Sequence, residues 1–369
     1  MSIQRGIIKL KVVTPVFIGS GQELKKTEYI LDRAEGKAYI LDVEKFFRYL
    51  LQKNLQESYE DFILDPGKKS LKDWMTEHRT QIKRQDIKSF CAYSLDIGNL
   101  DMRRSGIKTF LKDGYGQSYI PGSSLKGALR TVLLYNKIQN GELENNVKEA
   151  ISRNVFSKEK FSRRRFLKSA AENVEELLEE TKTIGDEQVI KKMMSGLSIS
   201  DSHSIESSNL VLCEKEDYGI SGKKAGSRIP ILRECLKPGT EIIFEFSLNS
   251  EKFPFTMEET TKMICDFFQN YQSVYLNMFP EKADYPDCVL CLGGGVGFIS
   301  KTLLYGIYNT KDAIRVTKEI LNKQFPKHNH LQDKKVSPRM RKMTHFQGQL
   351  YDMGLCTFMW QNNTFLSAP

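Results

Sequence analysis

Two neighbouring segments with different hydrophobic periodicities constrain the fold of this chain most strongly. Residues 241–248 alternate between polar and apolar side chains, which is the pattern of a half-buried strand. Thr256 and Glu259 then form a capping-box signature, and an apolar stripe at helical spacing follows as far as Met278. A strand and a helix that each carry an apolar face must bury it against other elements, so the sequence predicts a layered α+β fold.

The other periodic segments predict the order β–α–β–β–α–β, which fits a ferredoxin-like or RNA-recognition-motif-like fold with long insertions. The predicted strands are residues 7–13, 197–199, 210–213, 241–248 and 288–292, with a hairpin at 28–41 and a final pair within 348–360; further helices are predicted at 43–56, 123–137 and 310–325. We predict two domains, residues 1–249 with insertions at about 58–89 and 140–195, and residues 250–369 with a glycine-rich loop.

Composition and charge indicate the class of partner. Of the 369 residues 40% are hydrophobic, no apolar run is long enough to span a membrane, and no signal-peptide pattern opens the chain, so we expect a cytoplasmic protein without a membrane partner. Seven cysteines without regular spacing are expected to be reduced thiols. A net charge of +9 indicates a polyanionic or acidic partner.

The positive charge is concentrated in three groups. They are Arg103, Arg104, Lys108 and Lys112; Arg163, Arg164, Arg165 and Lys168; and residues 323–345, with seven Lys or Arg against one Asp. Each group alone is compatible with a solvated face, but the three together favour nucleic acid, whose affinity would then depend strongly on salt.

A strand–turn–helix junction at residues 119–130 is the most specific motif, and it reads Tyr-Ile-Pro-Gly-Ser-Ser-Leu-Lys-Gly-Ala-Leu-Arg. We predict Ser123 as the helix N-cap. Lys126 stands where a capping box would have Glu or Gln, and a cation in the first turn opposes the helix dipole unless an anion such as phosphate binds there. Arg130 is predicted to share a face with Lys126. The alternative is an ordinary surface lysine.

The residues that could support catalysis or bind a metal are few. Cys288 and Cys291 form an isolated C-x-x-C in a predicted strand, where residues three apart point to opposite faces, so we expect buried thiols. Residues 201–203 resemble a catalytic triad only in composition. The glycines of residues 293–297 can present backbone N–H groups to a phosphate, but Phe298 replaces the last glycine of a dinucleotide-binding motif. We expect no catalytic residue, metal or cofactor.

The junction at 119–130 resembles the first-helix motif of the RAMP superfamily, the RNA-binding subunits of CRISPR effector complexes. Four further stretches resemble the same family in the order that it requires: residues 14–21, 197–202, 293–302, and 337–340 with Thr344. Together with residues 233–240, the set is most similar to the fifth-subunit family of the type III-A (Csm) complexes.

The resemblance implies a non-catalytic subunit that caps the backbone at the 3′ part of the guide crRNA, contacts the backbone and small subunits, and assists crRNA 3′-end maturation through host nucleases. It implies that the glycine-rich loop contacts RNA, with Lys301 beside it. The aromatic RNA-recognition signature is absent, so backbone amides, Lys and Arg should hold RNA with little reading of base identity. The predicted RNA-binding residues are Gly19, Ser20, Gly21, Ser123, Ser124, Lys126, Arg130, Gly293, Gly294, Gly295, Gly297, Lys301, Arg339 and Arg341.

Two other functions stay open. One is a metal-independent CRISPR-RNA endoribonuclease of the same superfamily that uses one of the five histidines, although no early histidine stands beside residues 19–21. The other is a protein-binding scaffold whose basic surface meets acidic partners.

Overall fold

The computed structural model of the protein describes residues 3–65, 67, 69–97, 106–141, 148, 151, 155–156, 180–184, 187–191, 193–224, 232–281 and 284–362. Helices in these ranges are α1 Val43–Lys53, α2 Gln56–Leu64, α3 Leu71–Glu77, α4 Gly122–Gln139, α5 Met257–Val274, α6 Leu304–Ile307 and α7 Thr310–Gln324. The strands are β1 Ile3–Val12, β2 Gly19–Leu24, β3 Tyr29–Asp32, β4 Lys37–Leu41, β5 Cys91–Asp96, β6 Ile107–Phe110, β7 Glu180–Ile184, β8 Glu187–Lys191, β9 Leu197–Ile199, β10 Leu210–Glu214, β11 Glu216–Gly219, β12 Leu232–Leu236, β13 Glu241–Asn249, β14 Val289–Cys291, β15 Met340–Phe346, β16 Gln349–Asp352 and β17 Leu355–Asn362.

A five-stranded sheet in the order β14–β17–β1–β13–β9 forms the centre of the fold. β1 lies between β13 and β17 and is antiparallel to both, so that Ile8 is paired with Phe244 on one side and with Trp360 on the other. Helices α4 and α5 pack together over this sheet, and their apolar residues share one core with β1 and β13. The chain order β1–α4–β9–β13–α5–β17 and the strand order β17–β1–β13–β9 are those of a ferredoxin-like unit. The predicted α+β fold class is therefore confirmed.

The fourth strand of this unit is β17 and not the nearer β14. β17 lies directly beside β1 and antiparallel to it, whereas β14 pairs only with the outer side of β17. The segment from β14 to β16 is thus an insertion before the last strand. Strands on both sides of position 249 share the sheet, and the division into two domains at this position stays a prediction.

Local sequence patterns explain the central elements. In β13 the alternating side chains of Ile242, Phe244, Phe246 and Leu248 are buried. Thr256 and Glu259 form the predicted capping box at the start of α5. Both predictions are confirmed. They could be made from the sequence because each depends on residues only a few positions apart.

A second sheet of seven strands has the order β2–β6–β12–β10–β5–β4–β3. The predicted strand at 210–213 is β10, and it belongs to this second sheet. Helices α1, α2 and α3 share an apolar cluster with Ile30 and Tyr39 of its β3–β4 hairpin, so the insertion predicted at 58–89 is helical. A third sheet, β11–β15–β16, and the β7–β8 hairpin complete the described strands.

Two of the seven cysteines differ from expectation. Cys265 of α5 and Cys288, just before β14, form a disulfide bond, whereas all seven were expected to be reduced. The helix crosses over the beginning of the strand, which brings together two residues separated by 23 positions, and sequence spacing does not reveal this contact. Cys91, Cys213, Cys235, Cys291 and Cys356 are free thiols.

Two of the predicted basic groups fall partly or wholly outside the described ranges. Arg103, Arg104, Arg163, Arg164, Arg165 and Lys168 all lie outside them, as does most of the insertion predicted at 140–195. None of the helices in the described ranges is both long and apolar enough to cross a membrane.

Candidate nucleic-acid interface

A cleft of about 400 Å³ lies where the segment before β2, the first half of α4 and the glycine-rich loop after β14 meet. Six of the predicted RNA-binding residues line it: Gly19, Ser123, Ser124, Gly293, Gly294 and Lys301. These residues come from three stretches of sequence that are more than 100 positions apart. The fold therefore brings together the parts of three motifs that the sequence had suggested separately.

The N-terminus of α4 is capped differently from the prediction. The helix begins at Gly122 with Pro121 as N-cap, and the Gly122 N–H donates to Asp201 Oδ1 at 2.9 Å. The neighbouring Ser202 accepts the Ile120 N–H through Oγ at 2.9 Å. Ser123 was predicted as the N-cap, and this is wrong because a carboxylate from the segment before β10 takes that role.

Gly122 is required where α4 meets that segment. A Cβ at this position would lie 2.3 Å from the carbonyl oxygens of both Ile199 and Ser200. Only glycine permits this approach, which places Asp201 over the helix end and leaves Ser123 and Ser124 directed to the cleft.

Lys126 and Arg130 are not among the residues that line the cleft, and their role in RNA binding stays a prediction. From α4 the lining residues are Ser123, Ser124, Gly127, Ala128 and Thr131. Lys126 and Arg130 follow Ser123 by three and seven residues, so the helical period places both next to this face. Lys126 is partly buried, and desolvation lowers its pKa.

The glycine-rich loop lies directly against the chain before β2. The Gly294 N–H donates to Phe17 O at 2.7 Å, and a Cβ on Gly293 would lie 2.4 Å from the same oxygen. Gly293 also has a φ of +85°, in the region that favours glycine. Lys301 Nζ donates to Gly293 O at 2.7 Å, and partial desolvation lowers the pKa of Lys301. Close packing of backbone on backbone thus forms one wall of the cleft.

The other predicted glycine and serine residues of these two segments do not line the cleft. Ser20 Oγ is hydrogen-bonded to Thr109 Oγ1 at 2.5 Å in the second sheet. Gly21 is exposed with a φ of +89°. Gly295 and Gly297 have φ values of +94° and +91° and continue the loop beyond the cleft.

Arg341 was predicted to bind RNA, and its environment contradicts this. Its side chain is 2% exposed and forms two hydrogen bonds with the Asp352 carboxylate. Burial alone would lower the pKa of Arg341, but Asp352 outweighs that effect and raises it. Arg339 is partly exposed, and its Nη2 donates to His328 O at 3.3 Å.

Other charged groups of the basic segments are also engaged within the protein. Lys112 is paired with Glu234, whose side chain is fully buried and also accepts the Tyr93 hydroxyl. His330 is buried, and Asp333 Oδ2 contacts His330 Nδ1 at 3.1 Å and Ser337 Oγ at 2.8 Å. Because the aspartate lies between them, His330 is not placed to activate Ser337 as a nucleophile.

Sequence reasoning missed Phe17 and Arg233. Phe17 is buried and lines the cleft, and its carbonyl oxygen accepts the Gly294 N–H of the glycine-rich loop. The Arg233 guanidinium lies over the Phe17 ring with 5.0 Å to the centroid. The available signal was that both lie in stretches already noted for resemblance, residues 14–21 and 233–240.

Comparisons with known proteins identify a matching family and several relatives that cover most of the chain. The RAMP superfamily model matches residues 9–300. "CRISPR system Cms protein Csm5" of Mycobacterium tuberculosis is 25% identical over 383 residues, covering 95% of this chain and 96% of its own. The protein of the same name from Streptococcus thermophilus is 28% identical over 309 residues, covering 80% and 79%. That from Enterococcus italicus is 29% identical over 335 residues, covering 81% and 79%.

Two solved structures share the fold. A chain of the cryo-EM structure of a Csm–crRNA–target RNA ternary complex of a type III-A CRISPR-Cas system aligns with a TM-score of 0.62 and 20% identity, over 97% of this chain and 100% of that one. The crystal structure of T. onnurineus Csm5 aligns with a TM-score of 0.60 and 20% identity, over 95% and 99%. The predicted resemblance is thereby confirmed.

Proposed function

The chain belongs to the RAMP superfamily, and from this premise we propose that it is a non-catalytic RNA-binding subunit of a type III-A Csm ribonucleoprotein, similar in role to Csm5. In this proposal it binds the 3′ part of the crRNA, contacts the backbone and small subunits, and assists 3′-end maturation with host nucleases. It acts in the cytoplasm. Relatives that carry the name Csm5 and a structural neighbour from a crRNA complex support the assignment.

The observation that carries the proposal is the composition of the cleft. Serine hydroxyls, glycine backbone and the Lys301 ammonium converge there, and the described residues that line it include no carboxylate. Such groups bind phosphate and do not distinguish bases, as a guide of variable sequence requires. The proposed RNA-binding residues are Gly19, Ser123, Ser124, Gly293, Gly294 and Lys301.

A non-catalytic role is supported by the surroundings of three of the five histidines. His330 is buried beside Asp333, and His345 Nδ1 lies 3.1 Å from Glu216 Oε1. His203 is exposed, and its Nε2 lies 3.9 Å from Glu245 Oε1. None of these three has both a nucleophile and a cleft beside it in the described part of the chain.

The experiment follows binding and cleavage of a labelled guide-like RNA by the full chain across a salt series. We expect affinity to fall steeply with salt while the RNA stays intact. Lys301→Ala and Ser124→Ala should weaken binding, whereas Lys37→Ala, which removes an exposed lysine paired with Asp96, should not. Discrete cleavage that disappears on substitution of one histidine would instead establish the endoribonuclease.

A further inference from the structure

A second group of positive charges lies next to the cleft, and its members share a single carboxylate. This Asp217 cluster consists of Lys215, Asp217, Arg233 and Lys342. Lys215 Nζ and Lys342 Nζ lie 3.0 Å and 2.8 Å from the same atom, Asp217 Oδ1. Both lysines are largely buried, with side chains 22% and 29% exposed. Three cations and one carboxylate leave an excess of positive charge in a partly desolvated place.

Arg233 is the least satisfied member of the cluster. Its Nε is buried and has no hydrogen-bond partner, and Nη1 has the Met353 sulfur at 4.0 Å. Burial lowers the pKa of Arg233, and burial together with the neighbouring Lys342 lowers that of Lys215. An unpaired guanidinium N–H in such a place costs free energy unless an acceptor reaches it.

The acidic groups on the same strands do not supply that acceptor. Glu216 is engaged by Lys224 at 3.0 Å and His345 at 3.1 Å. Glu234 is engaged by Lys112 and accepts the Phe110 N–H at 2.8 Å. Both alternate with cluster residues along their strands, so their side chains point to the opposite faces of the sheets.

The cluster is continuous with the cleft through two contacts. Arg233 lies over the ring of Phe17, which lines the cleft. Arg233 Nη1 also lies 2.7 Å from where a Cβ of Gly295 would stand, so the glycine allows the loop backbone to approach the guanidinium. Only Phe17 therefore separates a ligand in the cleft from Arg233.

We propose that Lys215, Arg233 and Lys342 form a second phosphate-binding site, which takes a phosphodiester of the same RNA strand that occupies the cleft. This inference rests on the proposed function. A phosphate oxygen would accept from the Lys215 and Lys342 ammonium groups beside the Arg233 guanidinium, and its charge would offset the excess that Asp217 leaves. The site would extend the RNA path from the glycine-rich loop towards the third sheet.

The first test measures the salt dependence of RNA affinity for the full chain with a labelled single-stranded RNA. The double variant Lys215→Gln/Lys342→Gln should weaken binding and reduce the slope of log K against log salt by about 0.7, because each neutralised phosphate of a single strand contributes about 0.7. The matched control Lys9→Gln/Lys37→Gln removes two exposed lysines that are paired with Glu241 and Asp96, and should leave the slope unchanged.

A second variant gives a gain that misfolding cannot imitate. Asp217→Asn removes the only carboxylate of the cluster and should increase RNA affinity several-fold at low salt. Unchanged or weaker binding by this variant, together with an unchanged slope in the double lysine variant, would overturn the proposal. If Lys301→Ala still weakens binding in that case, the proposed function stands without the second site.

A third measurement does not depend on RNA. Inorganic pyrophosphate should raise the melting temperature of the wild type and of Lys301→Ala, but not that of Lys215→Gln/Lys301→Ala/Lys342→Gln, in which both anion sites lack their lysines. If the wild type binds no RNA but shows this pattern, the anion site stands and the RNA function fails. If pyrophosphate has no effect on the wild type, the anion site is rejected whatever the RNA result.

Discussion

The Asp201 carboxylate accepts the N–H of Gly122 and so caps helix α4 from a position 79 residues further along the chain. The protein thus supplies its own anion at the helix end where the sequence had suggested a phosphate. The ligand-facing part of α4 is instead its side, where Ser124, Gly127 and Thr131 line the cleft. The helix offers serine and threonine hydroxyl groups to a ligand, and Gly127 lets the ligand come close to the backbone. The positive end of its dipole is neutralised by Asp201.

This cap makes two different losses of stability predictable. Asp201→Ala should lower the free energy of unfolding by about 1 kcal/mol, the usual value of a helix cap. Gly122→Ala should lower it by more, because the new Cβ would meet two carbonyl oxygens at 2.3 Å. Gly127→Ala is the matched control: it lies in the same helix with nothing within 4 Å of its Cβ and should be neutral or stabilising. Denaturant titration gives all three values.

Lys112 and Glu234 should behave as a structural pair. Lys112→Met leaves the fully buried Glu234 carboxylate with no cation, and we expect a loss of about 3 kcal/mol in the free energy of unfolding. Lys37→Met breaks an exposed pair with Asp96 and should change it by less than about 1 kcal/mol. Equal effects of the two substitutions in urea titration would contradict the structural role of the buried pair.

The Cys265–Cys288 bond should stabilise the packing of α5 on β14. Closing a loop of this length contributes about 3 kcal/mol in the chain-entropy description. A reducing agent should therefore lower the melting temperature of the wild type. Cys265→Ser/Cys288→Ser should melt at the lower temperature and show no response to the reducing agent. A wild type insensitive to reduction would show that the two thiols are not bonded in solution.

Protonation of Asp217 at acidic pH should lower the stability of the fold. Burial alone would raise its pKa, but Lys342 and Lys215 outweigh burial and lower it below the ordinary value of 3.8. A carboxyl whose pKa is lower in the folded state stabilises the fold above its unfolded pKa, and this contribution disappears as the pH falls through the folded value. We expect the free energy of unfolding to decrease below about pH 4, and Asp217→Asn to flatten that decrease. Asp96→Asn, which alters an exposed carboxyl, should leave the profile unchanged.

Elements whose causes are local could be predicted from the sequence. Asp42 caps α1 by accepting the Lys45 N–H at 3.1 Å, and the capping box of α5 spans three residues. The central helices and β13 were predictable for the same reason, whereas β2, β5, β6, β11, β12 and β15 were not predicted as strands. The sequence predicted the three motifs that line the cleft but not the cleft itself. Only their resemblance to one family indicated that they act together.

What could not be predicted depends on contacts between distant segments. Arg341 looked like an RNA ligand because Asp352, which neutralises it, lies across a hairpin. Lys126 is another example. It follows the cleft residue Ser123 by three positions, so the helical period alone does not separate it from the cleft, and only the packing of the three segments shows which residues line it.

β17 lies late in the sequence, so the central sheet can be completed only after this strand has been synthesised. β1 is made before its neighbours β13 and β17, which follow some 240 and 350 residues later, so its β17 edge stays unpaired after β13 is available. Exposed edges of this kind invite pairing with other chains. The cleft likewise waits for residues 293–301. A chain truncated before residue 293 therefore lacks one wall of the cleft, and any ligand that needs this wall can bind only after these residues have folded.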